Sequence, residues 1–173
     1  MTRVEATATV DAPAEDLFHF TDWCYNTGWL PFVAKSWIVT LPRPDGLGEV
    51  TGMRGTMMGR EIEWDGELIR HEPGRLWARK AISGLPLKMR MQAEMRLAVV
   101  ERRRTQVTFA MEYRVPYPIL GWLMDRFYVQ KEAHKMVQAA VKALRMLAAE
   151  GRIPSTPDQL EHRKADYPGS GTT

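Results

Sequence analysis

Between Leu87 and Val99 the chain alternates apolar and polar residues almost without error. Leu87, Met89, Met91, Ala93, Met95, Leu97 and Val99 fall on one side, and Lys88, Arg90, Gln92, Glu94 and Arg96 on the other. A period of two predicts a β-strand with one dry and one wet face. Residues 105–115 repeat the pattern, with Val107, Phe109, Met111, Tyr113 and Val115 sharing a face. The charged run "ERRRT" between the two segments reads as a solvated hairpin tip. Further strands are predicted over 4–10, 35–41, 48–59, 60–74 and 75–83. In 60–74, Ile62, Trp64, Gly66 and Leu68 share the dry face. Gly52 and Gly55 loosen 48–59 and mark a bulge or a close backbone approach. The parity of 75–83 stays open, so either Arg79 or Lys80 faces the dry side.

Two regions follow a helical period instead. After Asp11 and Pro13, both suited to a helix start, "AEDLFHF" places Leu17 and Phe20 on one side. Asp22 opens a second short segment that Gly28 and Pro31 break. From Ile119 to Glu150 there is no proline. Leu120, Leu123, Phe127, Val137, Val141, Leu144 and Ala148 recur at three- and four-residue steps. Such a helix, about 45 Å long at 1.5 Å per residue, would cross a small domain. Gly151 stops it, and the polar, turn-rich 151–173 reads as a loosely held tail. The expectation is α+β: one domain over 1–150, with a curled antiparallel sheet of about seven strands wrapped on the terminal helix.

Composition narrows the class. The 173 residues are 45% hydrophobic and 26% charged with a formal net charge of +3, the balance of an ordinary globular domain. Basic and acidic residues intermix, so no nucleic-acid partner is expected. Cys24 is the lone cysteine, which fits a reducing compartment. The first ten residues lack the apolar stretch of a signal peptide, and no run reaches a membrane span. A cytoplasmic location is expected.

Candidate chemistry is sparse. His19, His71, His134 and His162 are too scattered for a metal site. There is no nucleophile elbow and no phosphate-binding glycine loop. On the two clearest strands every charged residue falls on the wet face. No catalytic residue, metal or cofactor is assigned. The polar candidates near the dry face are Tyr113, Tyr25, His134 and one of Arg79 and Lys80.

Several stretches resemble the START-like superfamily, also called helix-grip or polyketide cyclase/dehydrase-like, over about residues 2–149. They are "ATVDAPAEDLFHFTDWCYNTGWLPFV", the "HEPGRLWAR" turn, and "TQVTFAMEYRVPYPILGWL" running through prolines into the long helix. The resemblance implies a hydrophobic cavity between the sheet and the long helix. It implies no single activity, since members include lipid carriers, quinone-binding proteins, hormone receptors and aromatase/cyclases.

The methionines then have two readings. They fill the space under the helix, each burial stabilising the fold by roughly 1.5–3 kcal/mol. They also line a deformable space for an apolar guest, since methionine is flexible and polarisable. The candidate lining is Trp29, Phe32, Trp64, Met89, Met91, Met95, Phe109, Met111, Tyr113, Leu123, Phe127, His134 and Val137. Trp29, Pro31 and Phe32 either lock the short helices to the sheet or rim the cavity mouth. Gly52, Gly55 and Gly59 belong to a plain edge strand or to a mouth flap. Trp122 and Leu123 are either buried or in transient contact with a membrane surface. Three functions compete. The first is binding or transport of a lipid, quinone or polycyclic compound. The second is a cyclase or dehydratase acting on one, and the third is a protein-interaction module.

Overall fold

The protein was analysed as a computed structural model that describes residues 1–22, 29–41, 43, 47–116 and 128–159. β1 (Thr2–Val10) leads through Pro13 into α1 (Ala14–Asp22). β2 (Val33–Thr40), β3 (Val50–Met57), β4 (Arg60–Glu72), β5 (Leu76–Ser83), β6 (Arg90–Glu101) and β7 (Arg104–Arg114) follow, and α2 (Gln130–Ala149) closes the fold. The strands form one seven-stranded sheet in the order β1-β7-β6-β5-β4-β3-β2, antiparallel at every pairing. The α+β helix-grip expectation is met.

The local chemistry explains the elements. α1 begins at Pro13, whose carbonyl accepts from the Leu17 amide at 3.1 Å. Glu15 and Asp16 lie in its first turn, where the helix dipole favours acids. β3 and β4 are joined by Met58 and Gly59, both with positive φ. That two-residue turn twists in the sense the strands require. Gly55 is demanded by contact: a Cβ there would sit 2.0 Å from the Phe32 carbonyl oxygen, which accepts from the Thr56 amide. Of the two glycine readings for this strand, close backbone approach applies. β1 and β2 are the two edge strands, and β2 carries register shifts against β3.

The predicted alternation of β6 and β7 holds over the middle of both strands. Met95 and Val107 are fully buried, and Phe109, Met111 and Tyr113 nearly so. It fails at the ends. Residues 86–88 form a single 3-10 turn, so the strand starts at Arg90. Val99, on the dry parity, is 70% exposed. β5 pairs with β6 only as far as Leu76↔Arg96, so the hairpin beyond it has no neighbour to cover it. The wet face carries a mesh of ion pairs. Glu94 meets Arg3 at 3.3 Å, Arg96 at 3.0 Å and Arg70 at 3.6 Å.

In α2 the buried residues are Ala133, Met136, Val137, Ala140, Val141, Leu144 and Leu147, one stripe at helical spacing. That stripe packs on β1 and β7. The expected helix start at Ile119 lies outside the described residues. So do Leu123 and Phe127, the short segment at 23–28 with Cys24 and Tyr25, and Trp122. The first residues of the segment expected as a tail from Gly151 onward meet α1. Asp16 Oδ1 accepts from the Thr156 amide and hydroxyl, each at 2.8 Å. Gln159 Nε2 donates to the Asp16 carbonyl at 3.1 Å. Thr156 and Gln159 are thereby buried against α1, because a carboxylate can satisfy the free amides of the short turn at 156–159. Residues 160–173 are outside the described residues. No helix among the described residues is long and apolar enough to cross a membrane.

Candidate functional site

α2 packs along β1 and β7, and side chains of β3–β7, of residues 30–33 and of Met136 on α2 meet over the inner face of the sheet. A cavity of ≈ 70 Å³ remains there. Its wall includes Phe32, Trp64, Trp77, Phe109 and Met53, with Met91, Met111 and Met136 at one side. Trp77 is held from behind. Its indole Nε1 donates to Thr21 Oγ1 at 3.1 Å, and Thr21 donates in turn to the Leu17 carbonyl at 2.8 Å. Trp29 packs edge-on against Trp77 and Phe109, with ring centroids 6.2 and 5.8 Å apart. These rings fix one wall of the cavity rigidly.

A second space of ≈ 20 Å³ lies nearer the start of α2, lined by Met57, Met58, Met89, Tyr113, Val129, Glu132 and Ala133. Met91, Met111 and Met136 line both spaces. Three flexible thioether chains therefore form the partition between them. At this end Tyr128 Oη donates to the Met58 carbonyl at 3.1 Å, tying the β3–β4 turn to the start of α2.

Among the described residues, one charged side chain enters the larger wall. The register Trp77↔Met95 and Arg79↔Ala93 settles the open parity: Arg79 faces inward and Lys80 is exposed. Arg79 Nη2 lies 2.8 Å from Glu49 Oε1, and Nη1 donates to Thr51 Oγ1 at 3.0 Å. Both side chains of the ion pair are about one-eighth exposed, 12% and 13%. Among the described residues the cavity wall is thus apolar with a single neutralised polar corner. Among the described residues no group of His, Cys, Asp and Glu is arranged to hold a metal.

The remaining sequence candidates divide. Phe32, Trp64, Met91, Phe109 and Met111 line the larger cavity, and Met89 and Tyr113 the smaller. Met95 and Val137 are fully buried core residues that line neither, and Trp29 stands one layer behind. His134 is exposed on α2: Ala133, Met136 and Val137 define the buried stripe, and position 134 falls outside it. Leu123 and Phe127 lie outside the described residues. Trp77, Met53, Met57, Met58 and Met136 were missed. Trp77 could not be assigned because Leu76, Trp77 and Ala78 are all buried in a row, which erases the alternation. Met136 follows the stripe of α2 and was readable from it.

Comparison with known proteins agrees with this architecture. Residues 1–149 match the family model "Polyketide cyclase / dehydrase and lipid transport". The chain belongs to that family and has its START-like fold. No curated protein sequence matches the chain. Among solved structures it resembles a START superfamily protein from Mycobacterium smegmatis with a TM-score of 0.72 at 17% identity, covering 86% of this chain and 97% of that one. It resembles the Zhui aromatase/cyclase of a Streptomyces species with a TM-score of 0.59 at 20% identity, covering 99% of each chain. It also resembles norcoclaurine synthase from Thalictrum flavum, solved with dopamine and hydroxybenzaldehyde, with a TM-score of 0.63 at 17% identity, covering 86% of this chain and 87% of that one.

Proposed function

We propose that the protein binds an apolar, ring-containing or acyl small molecule (a lipid, quinone or polycyclic compound) in the space beneath α2. The observation that carries this reading is the ≈ 70 Å³ cavity whose wall, among the described residues, is apolar except for Arg79 and holds four aromatic rings and four thioethers. An apolar cavity with one placed polar group suits a ligand held by shape and oriented by one hydrogen bond. Because Glu49 already neutralises Arg79, the fitting ligand group is a carbonyl or hydroxyl instead of a free anion. The void as it stands would hold about five waters, and a cavity of about 150 Å³ is what takes up benzene in an engineered case. A larger guest therefore enters by swinging Met91, Met111 and Met136 aside, which joins the two spaces. A cytoplasmic location belongs to the same proposal, supported by the lone Cys24.

Titration of the purified protein with menadione and with an anthraquinone, read by native mass spectrometry and tryptophan quenching, tests it. One molecule bound per chain at micromolar concentration is expected. Ala93→Phe, which fills the cavity, should abolish that binding while leaving the circular dichroism spectrum unchanged. No binding to the wild-type protein at these concentrations overturns the proposal.

A cyclase reading draws on the same Arg79. A guanidinium in an apolar wall can stabilise charge that develops on a carbonyl oxygen, and one similar structure is an aromatase/cyclase by name. Cyclisation of a linear poly-β-ketone by the wild-type protein, lost in Arg79→Met with binding retained, would favour that reading over carriage.

A further inference from the structure

The sheet is incomplete at one place. β5 and β6 pair only between Leu76↔Arg96 and Lys80↔Gln92. Beyond Lys80, β5 stays paired with β4 through Gly66↔Ala81 and Asp65↔Ser83. Before Gln92, β6 stays paired with β7 through Met91↔Tyr113 and Arg90↔Arg114. The two strands have parted, each keeping its other neighbour. Gly84 (φ +79°) holds the parting open: it packs so closely on β4 that a Cβ would lie 2.0 Å from the Glu63 carbonyl.

The gap is a groove of ≈ 790 Å³ lined by residues 80–85 and 88–92 and by Met1. Its floor is apolar, made by Ala81, Leu85, Met89 and Met91. Ala81 also lines the larger internal cavity, Met89 the smaller, and Met91 both. The same side chains thus face the groove on one side and the internal space on the other. The rim is cationic. Lys80, Lys88 and Arg90 are exposed on it, and among the described residues none has an ion-pair partner and no acidic residue lines the groove. One carboxylate, Asp65, approaches through its hydrogen bond with Ser83 Oγ at 2.6 Å.

We propose that this parting of β5 and β6 is an opening of the ligand cavity, through the sheet, and that it takes a single-chain amphiphile carrying a carboxylate. The acyl chain passes between Ala81 and Met91 into the interior, and the carboxylate stays outside among Lys80, Lys88 and Arg90. This rests on the cavity reading above and adds the head-group chemistry and the route. Arg79 cannot supply that charge recognition, since Glu49 occupies it. The rim can, and its attraction falls with salt because it is exposed.

The test is paired titration with decanoate and decanol, followed by calorimetry and by the carboxyl ¹³C shift of labelled decanoate. The variants are the wild type, Lys80→Glu/Lys88→Glu/Arg90→Glu, and Lys142→Glu/Arg145→Glu, the last placing acids on exposed α2 positions away from the groove. Wild type should bind decanoate more tightly than decanol, with only the decanoate affinity falling as salt rises. The groove variant should lose about tenfold or more in decanoate affinity and keep decanol affinity, and the α2 variant should keep both. Equal affinity for the two ligands in wild type, or equal losses in both charge variants, overturns the opening while leaving the cavity reading in place. Binding of neither ligand overturns both.

Discussion

A guanidinium set in an apolar wall is expensive to desolvate, and Arg79 sits there because Glu49 and Thr51 receive it. Removing one partner leaves the other charge partly buried and unmatched. Arg79→Met alone should cost about 1–3 kcal/mol in urea unfolding. The double variant Arg79→Met/Glu49→Met should recover most of that loss. Strictly additive losses in the double-mutant cycle would mean that the pair is uncoupled. The inward parity of Arg79 was not legible locally. Ala78 lies on the outer face but is flanked in register by Arg70 and Glu94, whose long side chains cover it. A buried outward alanine next to a buried inward Trp77 reads as a continuous apolar run with no parity. Tyr113, by contrast, was placed correctly because every second residue of β7 around it is buried.

The strands and helices themselves were largely legible, since periodicity records which face of an element is covered. The elements' ends were not. β6 starts late because the chain turns at 86–88, and α2 ends in a segment that returns to α1. That return is held by Asp16, about 140 positions away from Thr156 in the chain, a separation across which no local pattern carries information. Composition alone counted the segment as tail. Asp16→Ala should free it: local stability there falls by about 1–2 kcal/mol, read as faster amide exchange at Thr156 and Gln159 and earlier proteolysis after Arg152, with the midpoint of global unfolding little changed. Unaltered exchange at those two amides would count against the anchoring role.

For the molecule as a whole, the position of α2 against β1 and β7 decides that a space exists, and the three methionines decide how large it can become. A stiff side chain in their place would fix the partition. The triple variant Met91→Leu/Met111→Leu/Met136→Leu should fold normally, each exchange costing less than about 1.5 kcal/mol. It should bind anthraquinone more weakly than wild type while small guests such as indole are little affected. Anthraquinone affinity equal to wild type, measured by tryptophan quenching, would show that the methionines do not open the cavity. The methionine-rich dry face was visible in the chain from the first strand pattern. Which methionines stand between two spaces, and which one (Met95) is solid core, was not.

The order and character of the elements, the apolar inner face and the charged outer one were determined by the sequence alone, because alternation and helical spacing are consequences of covalent geometry and solvent. The neutralised Arg79, the residual space, the parted strands and the anchored return of residues 153–159 were decided only by the tertiary structure. Each depends on which distant segment fills the volume beside a residue, and close packing of one chain against itself settles that for all residues together.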